Sequence, residues 1–299
     1  VTGEQGKDPV TLPLTVVSNI LFYNTEMFAE VGADEIPKEW DKFIELCQKI
    51  TKDTDGDGNI DQWGYGLIGK PIQCWKPFLV NMFQRGVDFL DSEGNLIYNS
   101  DAGVEALLFE TSLISKYKIT PPVAAEWNYD DTLTAFYTGQ VAATLANSDS
   151  IALLNNTDIK GKFMVAPLPY IWPGRDSVWP SGSPASSHVG GTNVGILKNT
   201  EKEEAALSFL EFVTRPEINK YICNAFQSVS PVKGAYAEGE MNEMQEVSLK
   251  VSVDHTTPMP LVPHFQPSLN IAAEAVQEAL VLAGEGEDTY ENVKPLLDA

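Results

Sequence analysis

The sequence predicts an α/β layered fold, and three observations carry that prediction. Short runs of β-branched, aromatic or small apolar residues recur along the chain, and amphipathic patterns of three- and four-residue spacing alternate with them. The 299 residues are 43% apolar and 10% aromatic, which is enough to bury a substantial core in one large or two medium domains. The sequence shows no internal repeat.

Residues 12–24 are β-branched and aromatic with few charges, and read as a buried strand. A short helix is expected at 25–31. Pro37 is suited to open the next helix at its first turn, and Trp40, Phe43, Ile44, Cys47 and Ile50 recur on one face of it. Residues 62–68 read as a strand and 77–83 as a short apolar helix. Ser100 is placed to cap a helix reaching 117, with Val104, Leu107, Leu108, Thr111 and Ile114 inward. Asp130 or Asp131 is expected to cap a helix over 132–137 that Gly139 ends, and 141–146 is small and apolar enough for a central strand. Another strand is expected at 163–169. Residues 170–187 are irregular and rich in Pro, Gly, Ser and Trp, the composition of a functional or mobile loop. A strand at 192–197, helices at 201–213, 215–226 and 269–283, and a last helix begun by Thr289 complete the pattern.

The formal charge of −22 argues against a nucleic-acid partner, whose phosphates require basic patches. Three scattered cysteines, Cys47, Cys74 and Cys223, make neither a disulfide framework nor a zinc knuckle, and Cys47 falls on a predicted apolar helix face as a buried thiol. No run approaches the length of a membrane span, and no signal peptide is recognisable.

Asp53, Asp55 and Asp57 alternate with small residues, Gly58 follows at the sixth position, and Asn59, Ile60 and Asp61 occupy the seventh to ninth. This spacing matches the start of a calcium loop, in which a tight turn lets side-chain oxygens converge on a hard cation. Asn59 would offer its backbone carbonyl, and Asp61 would act directly or through water. The twelfth position is Gly64 instead of a bidentate glutamate, and the Gln62 amide is a candidate to fill the gap. The same composition also suits an exposed acidic turn without metal.

The order of these pieces resembles the extracellular solute-binding proteins of family 1, the sugar-binding components of ATP-binding-cassette importers. Leu12-Pro-Leu with Leu21-Phe-Tyr-Asn-Thr-Glu-Met-Phe28 resembles a Pro-Tyr stretch and a Tyr-Tyr-Asn-Lys-Asp-Leu-Phe segment of that family, and Ile36-Pro-Lys-Glu-Trp-Asp-Lys-Phe43 resembles a helix start of the type Pro-Lys-Thr-Trp-Asp-Glu-Phe. Residues 53–66 are similar to its calcium-type loop and following strand. Phe136-Tyr-Thr-Gly-Gln-Val-Ala-Ala143, the Gly190-Gly191 strand and the helix containing 205–213 extend the similarity, so that six motifs fall in the family's order. The resemblance implies a periplasmic-binding-protein-like fold of type II, with two lobes joined by hinge crossings. Residues 14–189 and 240–299 would form the second lobe, and 1–13 and 190–239 a remnant of the first together with the hinge. The chain is expected to lack most of the first lobe.

On the same resemblance, the protein is expected to bind a sugar or oligosaccharide outside the cytoplasm, as a periplasmic or lipid-anchored surface protein whose signal and anchor are not in this chain. It would act as a monomer, without catalysis, and deliver its ligand to a transporter permease. Aromatic faces cover sugar rings while a few polar groups fix orientation. Trp75 is the first candidate for that platform, against a place in the core. Asn147, Ser148 and Asp149 end a strand where an open sheet binds ligands, though they also suit a helix cap. The resemblance puts a stacking tryptophan near Asp149, where this chain has none, which implies a smaller or differently oriented sugar. His188, Gly190 and Gly191 flank a hinge crossing; Trp127, Trp172 and Trp179 are loop residues that would line the cleft or plug gaps; Ser18 and Asn19 are weaker candidates. Two rivals remain at this point. One is a calcium-stabilised structural or adhesive module. The other is a glycoside hydrolase using Asp130 and Asp131, although a helix cap explains that pair more simply.

Overall fold

A computed structural model of the chain describes residues 11–87, 89–91, 93–172, 187–257 and 265–298. Seven strands lie within them: β1 (Leu12–Pro13), β2 (Val17–Asn24), β3 (Ala143–Asn147), β4 (Phe163–Ala166), β5 (Ser187–Gly190), β6 (Asn193–Val194) and β7 (Thr256–Thr257). The mixture of strands and helices is the α/β layering that the sequence predicts.

The single strand expected over 12–24 is divided because the backbone changes partner along it. β1 pairs antiparallel with β6, Val16 bridges Val229, and β2 then enters the main sheet. β2 is the centre of that five-stranded sheet. Antiparallel β3 lies along one side, from Asn19 opposite Asn147 to Tyr23 opposite Ala143. The other side is shared by β4, which faces Leu21–Asn24, and β5, which faces Val17–Ser18. β7 adds in parallel beyond β5. The two-residue side-chain period of β2 sends Leu21 and Tyr23 into one core and Ile20 and Phe22 into a second, smaller one.

The larger core is helical. α1 (Thr25–Glu30) is capped by the Asn24 side chain, which accepts from the amides of Glu26 and Met27 at 3.0 and 3.1 Å. α2 (Trp40–Ile50) buries the face read from its spacing. It starts later than Pro37 suggests, because the Lys38 carbonyl accepts from the Tyr170 and Ile171 amides and the Trp40 amide donates to Ile171, so the chain is extended there. Residues 62–68 make isolated bridges instead of a full strand, Gln62 antiparallel with Lys52, and Trp63 with Val141 and Gly66 with Thr144 in parallel. α3 (Trp75–Phe83) and α4 (Asp101–Ser115) pack on one another, with Ser100 accepting from the Gly103 amide as predicted. Cys47, Cys74 and Cys223 are free, buried thiols.

The second core is roofed by α5 (Tyr129–Tyr137) and the short α6 (Ser150–Leu154). The cap of α5 is Asn128, not Asp130 or Asp131. Its Oδ1 accepts from the Asp130 and Asp131 amides, while the Asp131 carboxylate reaches back to the Asn128 amide at 2.9 Å in a reciprocal capping box. The strand expected at 192–197 is the two-residue β6, preceded by an unanticipated β5. α7 (Glu203–Val213) and α8 (Pro216–Ala225) follow, and Phe209 and Tyr221 are exposed on them. α9 (Glu243–Asp254) was not expected from the sequence; it packs on β2 and β4. α10 (Phe265–Glu285) and α11 (Tyr290–Asp298) close the larger core against α4.

Candidate functional site

The ends of β3 and β5 and the first turn of α3 meet beside the N-terminal half of β2, and most of the predicted ligand residues meet there. Asn19 lies directly opposite Asn147, and its Nδ2 donates to Asn147 Oδ1 at 2.8 Å. The Ser148 amide donates to the Ser18 carbonyl at 2.8 Å, and the Ser18 amide donates to Ser148 Oγ at 3.3 Å. These two exchanges lock the strand end where the chain turns out of the sheet. Asp149 follows as the N-cap residue of α6 without a side-chain capping bond, so its carboxylate is not used to cap that helix. Burial raises the Asp149 carboxyl above the ordinary carboxylate range, with Lys76 acting in the opposite sense.

Trp75 opens α3 and is 6% exposed. Its indole N–H donates to the Ile72 carbonyl at 2.7 Å, and its ring lies 5.5 Å from that of His188 on β5. Ile72 is a β-branched residue at φ 90 whose side chain is exposed, a strained turn at the entrance to α3. His188 is buried, and its Nδ1 has no partner among the described residues. Burial, reinforced by Lys76, holds its pKa down to about 3, so the imidazole is neutral near pH 7.

Two participants escaped the sequence reading. Lys76 Nζ donates to Gln73 Oε1 at 2.9 Å and to Asn147 Oδ1 at 3.1 Å, 6.0 Å from the ring centres of both Trp75 and Tyr129. Tyr129 Oη accepts from the Asn147 amide at 2.9 Å and shares a hydrogen bond with Ser150 Oγ at 2.6 Å. A signal for Lys76 was present, since it is the sole charge between Lys70 and Arg85. Tyr129 carried none, because its role depends on α5 crossing the end of β3.

The remaining candidates lie elsewhere. Gly191, at φ 143, brings its backbone so close to Thr15 that a Cβ would stand 2.1 Å from the Thr15 carbonyl oxygen, whereas a Cβ on Gly190 has its nearest neighbour at 3.9 Å. The Trp127 carbonyl accepts from the Gly69 and Lys70 amides, and its half-buried ring packs on both cores. Trp172 packs edge-on to Phe109 with the Arg85 guanidinium 4.6 Å from its ring centre. Trp179 lies outside the described residues.

The Asp-rich loop is closed at its neck by the antiparallel bridge between Lys52 and Gln62. Asp53, Asp55 and Asp61 each present a carboxylate oxygen within 4.8 Å of the others. Asp53 also accepts the amides of Gly56 and Gly58, both at 2.7 Å, and these bonds hold its pKa below the ordinary carboxylate value. Asp57 turns away to accept the Asn59 amide at 2.7 Å. The Gln62 side chain donates to the Ile50 carbonyl at 2.8 Å, at the end of α2.

The chain belongs to the bacterial extracellular solute-binding proteins, whose family model matches residues 1–220. The arabinooligosaccharide-binding protein of Halalkalibacterium halodurans is 26% identical over 205 residues, covering 67% of this chain and 42% of that protein. The sn-glycerol-3-phosphate-binding periplasmic protein UgpB of Yersinia enterocolitica is 23% identical over 210 residues, covering 69% and 45% respectively. The maltose-bound MalE3 of T. maritima superposes with a TM-score of 0.78 at 26% identity, over 97% of this chain and 72% of that one. The chain thus spans about half the length of these curated relatives. The relatives are binding proteins rather than enzymes, and among the described residues no helix is long and apolar enough to cross a membrane.

Proposed function

We propose that this chain is the sugar-binding component of an ATP-binding-cassette importer, acting outside the cytoplasm and handing a saccharide to the permease without altering it. The observation that carries this reading is the convergence of Trp75, Asn147, Ser148, Asp149 and His188, with Lys76 and Tyr129, at the end of β3. An aromatic ring beside fixed hydrogen-bonding groups is what a sugar ring requires, and half-buried Tyr129 is the accessible ring there, because Trp75 is packed into the larger core. The arabinooligosaccharide and maltose bound by similar proteins agree with it. A hydrolytic role for the Asp130–Asp131 pair has little to recommend it, since Asp131 is engaged in the α5 capping box.

The division into a lobe of 14–189 and 240–299 and a hinge with first-lobe elements at 1–13 and 190–239 is supported by the two main cores, neither of which takes a side chain from 190–239. The crossings would lie near 14–20, 190–196 and 232–240, beside the β1–β6 pair and the Val16–Val229 bridge. Closure would turn about these to present the ligand-loaded face to the permease.

We also assign calcium to the Asp-rich loop. Two oxygens each about 2.4 Å from a cation are separated by at most about 4.8 Å, so the carboxylates of Asp53, Asp55 and Asp61 are already at a compatible spacing. Asp57 and the Asn59 carbonyl could join through small turns of an exposed loop. The Gln62 side-chain nitrogen is held by the Ile50 carbonyl, so its Oε1 is the atom left to reach a cation.

The deciding experiment is a thermal-shift and calorimetric screen of the chain against mono- and oligosaccharides, with calcium and with chelator. A ligand that binds only the folded form raises stability by about 2.7 kcal/mol at 100 times its Kd. A shift selective for particular saccharides is the expected outcome. A shift with calcium and with no saccharide would replace the transport reading by that of a calcium-stabilised module.

A further inference from the structure

We propose that the cleft takes a saccharide bearing an anionic group, a carboxylate or a phosphate, and that Lys76 is the residue that selects it. This rests on the sugar-binding reading above and narrows it.

Lys76 carries a charge that no carboxylate pairs among the described residues. Lys76 has withdrawn into the protein at the first turn of α3, between the faces of Trp75 and Tyr129. Its two hydrogen-bond acceptors, Gln73 Oε1 and Asn147 Oδ1, are neutral amides, and the second is already engaged by Asn19. An ammonium has three donors, which leaves one without an acceptor among the described residues. Asp149 attracts Lys76 through space, yet no ion pair joins them, nor Lys76 to any other carboxylate among the described residues. In a chain with 42 acidic residues and 20 Lys and Arg, that is an unusual place for a lysine.

A cation removed from water is costly unless it is paired. The cost shows in the pKa of Lys76, which burial brings down to about 8 despite the pull of Asp149. Closing a second lobe over the site would strip away more water and raise the cost further. A neutral sugar returns only a hydroxyl to the ammonium, whereas a uronate or sugar phosphate returns a full counter-charge. The remaining neighbours do not compete for it. His188 is held neutral, and the Tyr129 phenol, raised to about 12 by burial, keeps its proton. Asp149 would exclude an anion from its own side and accept hydroxyls, so the charged group is oriented toward α3.

Of the groups facing the site, His188 and Tyr129 keep their charge between pH 7 and 9, Asp149 is raised above the ordinary carboxylate range by burial, and Lys76 loses its proton within that window. An anion favours the protonated amine, so affinity for a charged saccharide should be full below pH 8 and weaken about tenfold per unit above it. Neutral saccharides should show no such fall.

The test is titration calorimetry of the chain with galacturonate oligomers, sugar phosphates and their neutral counterparts, arabinotriose and maltotriose among them. The expected result is at least tenfold tighter binding of one anionic class over its neutral counterpart. The uronate and phosphate arms tell which anion is read. Lys76→Met, or Lys76→Gln if the first variant is unstable, should remove that preference, bringing the affinities for charged and neutral saccharides to within about threefold of one another. Lys76→Arg should keep the preference and abolish the loss above pH 8. Neutral saccharides binding as tightly as charged ones would overturn the proposal and leave the sugar reading intact, as would a preference that survives Lys76→Met. Failure of every saccharide, charged or neutral, would overturn both.

Discussion

Gly191 shows how a residue flagged for one reason can be held by another. A glycine beside a hinge invites the idea of a backbone opened to a ligand, but the group that approaches it is the chain's own Thr15 carbonyl. Gly191→Ala, at φ 143, is expected to cost about 2 kcal/mol or more, read as a lower thermal midpoint, while Gly190→Ala, with its nearest neighbour at 3.9 Å, should change little. Asp55→Ala is expected to lower the midpoint in calcium and not in chelator; an equal loss in both conditions would count against the metal. The strand-end residues Asn147, Ser148 and Asp149 could be anticipated because strand termini in layered folds recur as binding positions. Lys76 and Tyr129 could not be placed with them, since their parts depend on how α3 and α5 cross that strand end, a matter of tertiary packing that no local pattern records.

At the scale of elements, amphipathic spacing was dependable where a helix packs on one side only. The face Trp40, Phe43, Ile44, Cys47 and Ile50 is buried as read, and Phe43→Ala should cost about 3–5 kcal/mol. Boundaries were less legible, because backbone groups at element ends pair across the fold, as Lys38 does with Tyr170 and Ile171. α9 went unseen although Asn242 and Gln245 form a capping box and Met244, Val247 and Val251 share a face; its high charge masked a narrow apolar stripe. The α5 cap gives a direct check: Asn128→Ala should lose about 1 kcal/mol by denaturant titration. Between α3 and α4, Glu110 is fully buried, with Asn81 Nδ2 as its one donor at 3.5 Å and Oε1 unpartnered among the described residues. Burial pushes its pKa up to about 8. The unfolded chain releases this proton near pH 4.5 and the folded chain near 8, so the group's penalty grows as pH rises through that window. Glu110→Gln should therefore stabilise the protein more at pH 8 than at pH 5; an equal effect at both would refute the buried neutral acid.

For the whole molecule, the layered class and the family were both legible, because six weak motifs in a fixed order constrain a fold jointly as none does alone. The sheet order was not, since every pairing of β2 is long-range. A formal charge of −22 spread over one body predicts a global response: raising monovalent salt from about 0.01 to 0.15 M should raise the thermal midpoint by screening self-repulsion. An unchanged midpoint would mean that the charges are already locally balanced. The central position of β2 has a further consequence, for the order of events in folding. This strand precedes its partners by a long stretch of chain, since Asn19 meets Asn147 across 128 positions and Ser187 Oγ reaches the Asn19 carbonyl across 168. No neighbouring hairpin can hold β2 while it waits, so the sheet must assemble late around an apolar segment that spends the interval uncovered. Refolding should accordingly be slow, and its yield should fall steeply with protein concentration.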